Sequence, residues 1–197
     1  MDANTPRKLQ GDELEARAVR ARWLALLFGG PVDDELVSCA PSAVCPEGAD
    51  ATEIEAERVR LFVNSPAGVP APPYGSWWTE KTLWGASTAA VAGFLRAEGL
   101  EVAPEAGPPD ALAAELEYVA FVLRHQRAAL ETGQAELEVA ARRRESVFLR
   151  EHLAPWLPSF REAARRATMH PAWLAALDAL GAFVDEELRR TDEGARC

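Results

Sequence analysis

Apolar positions recur at helical spacing along almost the whole chain. Val19, Trp23 and Leu26/Leu27 fall at i, i+4 and i+7/8, so the pattern predicts an amphipathic helix over 13–28, stopped by Gly29-Gly30-Pro31. A short helix follows over 32–40, then a loop from Pro41 to Asp50. Thr52 and Glu55 have the spacing of a capping box, which opens a third helix ending near Phe62. Segment 64–76 holds four prolines, which lack a backbone donor and fix φ, so it reads as an ordered loop or a mobile flap.

Helical spacing then resumes. Over 82–98, Leu83, Ala86, Ala90 and Phe94 share one side, and Gly99 ends the run. After a loop from Val102 to Pro109, a long helix is predicted over 110–131, with Leu112, Leu116, Val119 and Leu123 stepping along one face. The more polar segment 134–153 turns Leu137, Ala141 and Phe148 inward. Pro155 and Pro158 make a turn before a helix at 159–168, and Trp173, Leu177, Leu180, Val184 and Leu188 mark the last helix. Alternating β-branched runs and internal repeats are absent. The expected fold is all-α: one globular helical domain of about nine helices over residues 1–197, with a Pro-rich loop and a lobe boundary, if any, near 100–109.

The chain's 197 residues suffice for a core without covalent staples. Hydrophobic residues make up 48% and charged residues 26%, which excludes a disordered chain. Net charge is −10, with −6 before Pro104 and −4 after it, so neither half is basic. Arg142-Arg143-Arg144 is the only dense cationic run, too small for a nucleic-acid footprint. An acidic surface suits a cationic partner, or serves solubility alone. Apolar stretches are too short to span a bilayer, and the N-terminus lacks the pattern of a secretory signal. Three cysteines, Cys39, Cys45 and Cys197, cannot all pair, which favours a reducing cytoplasm.

Catalytic signatures are scarce. No phosphate loop, nucleophile elbow, H-E-x-x-H or C-x-x-C motif is present. Cys39 and Cys45 have no neighbouring histidine, so a zinc site is not expected. His125 reads as solvated, His152 as serving a late helix carbonyl, and His170 as a cap ahead of Pro171. Of Trp77, Trp78 and Trp84, core packing absorbs at least two. The adjacent pair cannot point one way, so one of Trp77 and Trp78 stands beside the loop as an apolar anchor for a peptide. Asp110 has two readings: N-cap of the long helix, accepting from Leu112 or Ala113, or a carboxylate that meets an arginine at a groove mouth.

Arg60-Leu61-Phe62-Val63, followed by Pro70-Ala71-Pro72-Pro73-Tyr74-Gly75-Ser76-x-Trp78, resembles the TorD/DmsD family of redox-enzyme maturation chaperones, most closely its DmsD branch. Leu83-Trp84-Gly85-x-Ser87-Thr88, Pro108-x-Asp110, and His152-Leu153-x-Pro155-Trp156 with Phe160 and His170-Pro171 continue the resemblance in order. The resemblance implies an all-helical cytoplasmic chaperone. Such a protein binds the twin-arginine signal peptide of a DMSO-reductase-type molybdoenzyme subunit and retains it until the molybdenum cofactor is in place, as a monomer or a swapped dimer. It implies no catalytic residue, no cofactor and no metal of the chaperone's own. The implied signal-peptide site is Leu61, Phe62, Pro73, Tyr74, Gly75, Trp78, Gly85, Pro108 and Asp110. Two positions depart from the family pattern: Ala111 stands where it has histidine, and Arg58 where it has an aromatic. A helical adaptor for another protein partner and a metal-dependent helical enzyme are the competing readings.

Overall fold

A computed structural model describes residues 4–41, 44, 49–103 and 107–194. Cys45 and Cys197, two of the three cysteines, lie outside the described residues, and Cys39 is exposed and free. Among the described residues the chain is 74% helical and contains no strand. The helices are α1 (Asn4–Gly29), α2 (Asp34–Ser38), α3 (Ala51–Arg58), α4 (Gly75–Glu80), α5 (Ala86–Ala97), α6 (Leu112–Glu131), α7 (Ala135–Phe148), α8 (Leu157–Ala167) and α9 (Pro171–Gly194). Widened π-type turns extend α3 over Val59–Val63 and α7 over Leu149–Leu153.

α6 is the central strut. Leu112, Leu116, Val119 and Leu123 are all buried, as their spacing predicts, and α6 packs along α1 on one side and α7 on another. Along α1 the buried apolar residues are Leu14, Ala18, Ala21, Trp23, Leu24, Ala25, Leu27 and Phe28. That corrects the expected stripe: Val19 and Leu26 face solvent, and only Trp23 and Leu27 of the expected set are inside. Small alanines on the inward stripe let α1 lie close to α6, and α1 approaches so near at Gly29 that a Cβ there would collide with Ala113. The same correction applies to α5, where Thr88, Val91 and Leu95 are buried while Leu83 is exposed in the preceding turn. On α7, Ala141 and Phe148 point inward as expected but Leu137 does not.

The core holds two aromatic clusters. Phe28, Phe62, Phe160 and Trp173 meet edge-on or tilted, with ring centres 5.1–6.1 Å apart. The Trp173 indole N–H is satisfied by the Ile54 carbonyl at 2.9 Å. Phe94, Tyr118, Phe148 and His152 form the second cluster. His152 therefore packs among rings rather than serving a helix end, and burial lowers its pKa against the pull of Glu151.

The cap of α3 differs from the sequence expectation. The N-cap of α3 is Asp50, which accepts from Thr52 N–H at 2.8 Å. Glu55, the expected capping-box partner, instead accepts from Val32 N–H at 2.8 Å and pairs with Arg58. A side chain four residues inside a helix is free to serve a neighbouring chain segment, which spacing alone does not reveal. His170 does sit just ahead of Pro171 at the start of α9, its carbonyl accepting from Leu174 N–H.

Candidate functional site

Between α3 and α4 the chain runs without helix from Asn64 to Tyr74, as its prolines require. Its second half is pinned. Ala71 N–H donates to the Leu61 carbonyl at 3.0 Å, the Pro73 carbonyl accepts from Leu112 N–H at 2.9 Å, and Tyr74 makes a single antiparallel bridge with Ala111. The Trp78 indole N–H donates to the Pro72 carbonyl at 2.8 Å. Only the 64–70 half is free of such ties to neighbouring elements, so the expected flap is confined to that half.

A cleft of about 600 Å³ opens in front of this loop. Phe62, Pro73, Tyr74 and Trp77 wall it, with Arg58 and Ala111 on its lining. Three of the residues the resemblance implies thus come together: Phe62, Pro73 and Tyr74. Both positions that depart from the family pattern, Arg58 and Ala111, face the same cleft. Arg58 is held back by a two-pronged ion pair to Glu55 at 2.7 and 2.8 Å. No carboxylate is among the described lining residues.

The remaining implied residues lie behind or beside the cleft. Leu61 is fully buried in the core, and its carbonyl holds Ala71. Pro108 is buried and accepts from Ala111 N–H at 3.0 Å. Trp78 is half-buried against Phe160 and carries Lys81 over its ring. Gly75 begins α4 in contact with Trp156, where a Cβ would lie 3.0 Å from the indole nitrogen. Gly85 caps α5 without a side chain, because a Cβ there would collide with the Glu80 carboxylate.

Asp110 does not cap α6, whose N-cap is Ala111 with no side-chain bond. Its carboxylate instead accepts from Ser76 N–H at 2.6 Å, and its carbonyl from Gly75 N–H at 2.9 Å. It caps the neighbouring helix α4 in place of the cap that Tyr74 cannot supply. α4 then ends in Glu80, whose carboxylate accepts from Ala86 and Ser87 N–H at 2.6 and 2.7 Å and so caps α5. Two carboxylates in relay fix segment 75–87 against the start of α6. Asp110 is fully buried, with no face turned to the cleft.

Below the loop, Ser76 Oγ, Asp110 Oδ1, Glu115 Oε2 and Trp156 Nε1 are buried without a protein hydrogen-bond partner. Burial first, and the Asp110 charge second, push the Glu115 carboxyl well above its ordinary value of 4.5, against the Trp156 indole N–H. Both effects favour the uncharged form of Glu115.

The sequence left Trp77 and Trp78 open as the aromatic beside the loop, the resemblance implied Trp78, and it is Trp77 that lines the cleft; Trp84 was among the core candidates. Trp77 and Trp78 are both half-buried, and Trp84 is 65% exposed at a left-handed φ of 62°. Among the described residues no group of three or more His, Cys, Asp or Glu is placed to hold a metal ion, and no helix is long and apolar enough to cross a membrane.

The model of the nitrate reductase delta subunit family matches residues 31–162, more than half of the chain. The chain belongs to that family. The match spans α2 through the first turns of α8, and so contains the loop, the cap relay and α6, but not α1 or α9. The fold is also that of the crystal structure of a proposed redox enzyme maturation protein from Archaeoglobus fulgidus, with a TM-score of 0.56 and 20% identity, covering 86% of this chain and 91% of that one. A sequence comparison with curated proteins finds no match.

Proposed function

We propose that this protein is a maturation chaperone for a redox enzyme, acting on a molybdoenzyme catalytic subunit in the cytoplasm. It grips the twin-arginine signal peptide of that client in the cleft between the Pro-rich loop and the start of α6. The observation that carries this reading is the cleft: concave, walled by Phe62, Pro73, Tyr74 and Trp77, and lacking any nucleophile or acid–base pair on its described lining. Such walls suit the apolar part of a peptide, and binding needs no chemistry beyond it. Family membership and the structural likeness to a proposed redox enzyme maturation protein support the reading.

In this reading Leu61, Gly75, Trp78, Gly85, Pro108 and Asp110 position the walls, while Phe62, Pro73 and Tyr74 touch the peptide. Titration calorimetry with a synthetic twin-arginine peptide tests it. Tyr74→Ala, which shortens a half-buried wall residue, is expected to weaken binding about tenfold, the loss of an aromatic contact of roughly 1–1.5 kcal/mol. Undiminished affinity in Tyr74→Ala together with Phe62→Leu would remove the peptide from this cleft. A generic helical adaptor would bind a Lys-Lys version of the peptide equally well.

A further inference from the structure

The cleft does not end at Ala111. Gly29, Ala111 and Ala113 line both it and a second hollow of about 690 Å³ on the other side, between the end of α1, the 100–103 segment and α6. α1 and α6 touch so closely at Gly29 and Ala113 that no long side chain stands between the two hollows. Ala111 adds only a methyl group to the boundary the two hollows share.

The two compartments differ in charge. Among its described lining residues the first has Arg58 as the only charged one. The second is lined by Glu101 and Glu117, with no Lys or Arg among its described lining residues. Its walls are otherwise apolar, including Leu26, Leu100 and Phe121, and Leu26 is 41% exposed. Glu101 is exposed, while Glu117 is partly exposed and paired with Arg22 at the rim.

We infer that the peptide-binding surface spans both compartments, and that Glu101 and Glu117 of the second compartment read the arginine pair while the first takes the apolar segment. This rests on the peptide reading of the first cleft. An arginine side chain is an aliphatic stem with a planar cationic head, so it fits an apolar hollow with carboxylates at its edge. The opposite assignment is disfavoured by charge: the first compartment offers Arg58 and no described carboxylate, and Asp110 is sealed beneath it. Glu117 exchanges Arg22, an exposed pair of small worth, for a peptide guanidinium.

The test uses the full chain and two synthetic peptides, one with Arg-Arg ahead of a leucine-, alanine- and phenylalanine-rich run, the other with Gln-Gln in place of the arginines. The wild type is expected to prefer the Arg-Arg peptide. Glu101→Gln combined with Glu117→Gln should lower Arg-Arg affinity about three- to tenfold, as expected for exposed pairs, and leave Gln-Gln affinity unchanged. The difference should shrink with added salt. A double variant that keeps the full preference overturns the assignment of the glutamates, while the wild-type preference leaves the peptide reading intact. A wild type that binds neither peptide, or both equally, overturns that reading and this inference with it. Should the double variant lose helix content, Glu101→Lys at its exposed site gives the same readout, and undiminished preference there is equally fatal.

Discussion

Glu145 and Glu187 lie as deep as Asp110 and Glu115, all four no more than 1% exposed, yet only the first pair has a cation between its members. Arg17 reaches across from α1 to both Glu145 and Glu187, and Gln126 donates to Glu145 at 2.5 Å. The cluster ties α1, α6, α7 and α9 together. Asp110 and Glu115 have no ion-pair partner among the described residues, and each keeps an oxygen without a hydrogen bond. A buried charge without a partner costs several kcal/mol, and burial accordingly shifts Glu115 toward its neutral form. Even the first pair has one cation for two carboxylates, and burial with Glu187 raises Glu145 as well. The contrast separates a structural clamp from a strained floor. The clamp sits at a junction of four helices, and the floor lies directly under the loop that walls the cleft.

Breaking the clamp has the largest expected effect. Arg17→Met leaves two carboxylates buried without their cation, and should cost about 3–5 kcal/mol in urea unfolding at pH 7. A loss under about 1 kcal/mol would mean that the pair is not balanced by Arg17, and would erase the distinction between the two sites.

Glu115→Gln addresses the floor and comes next. A carboxyl raised above 4.5 in the folded state holds a proton that the unfolded chain releases. Its contribution is complete below the ordinary value and is lost as pH rises from about 4.5 through the raised value. The glutamine variant should lack that loss, so its stability relative to wild type rises as pH climbs from about 4.5 toward neutrality. A flat difference across that range, measured by thermal melts, would mean that Glu115 is not held neutral.

Asp110→Asn is expected to do less. The amide oxygen still accepts from Ser76 N–H, so the cap on α4 persists and the stability loss should be within about 1 kcal/mol. Peptide affinity should change less than about threefold, roughly 0.6 kcal/mol, because the side chain has no face on the cleft. A larger loss of affinity with an unchanged melting temperature would return Asp110 to direct contact with the arginines. Trp84→Gly, outside both pairs, sharpens the baseline. The side chain is 65% exposed at a left-handed φ, so stability should stay within about 0.5 kcal/mol of wild type or rise slightly.

Much of the fold was legible in residue order. The stride of Leu112, Leu116, Val119 and Leu123 marked α6 and its buried face together, because a regular aliphatic stripe leaves one orientation. The four prolines at 66, 70, 72 and 73 marked the loop. The stripe on α1 was misjudged because Val19 and Leu26 outrank alanine in apolarity, whereas close packing of α1 on α6 selects Ala18, Ala21 and Ala25. Of the candidate site, Phe62, Pro73 and Tyr74 were found through the resemblance. Arg58 and Ala111, and the choice of Trp77 over Trp78, emerge at the cleft only when the loop folds back onto α6.

Local rules set by the residues themselves were determined by the sequence alone: helical period, proline-enforced loops, an acidic balance and the lack of catalytic motifs. Partnership across the chain was decided by the tertiary structure. Asp110 stands two residues before α6 and yet caps α4, because the Tyr74–Ala111 bridge brings the start of α4 within 2.6 Å of its carboxylate. Glu115 looks like any first-turn glutamate of a helix, and its carboxyl is raised only because the fold buries it beside the Asp110 charge. A carboxylate's role depends on what surrounds it in space, and spacing along the chain does not carry that information.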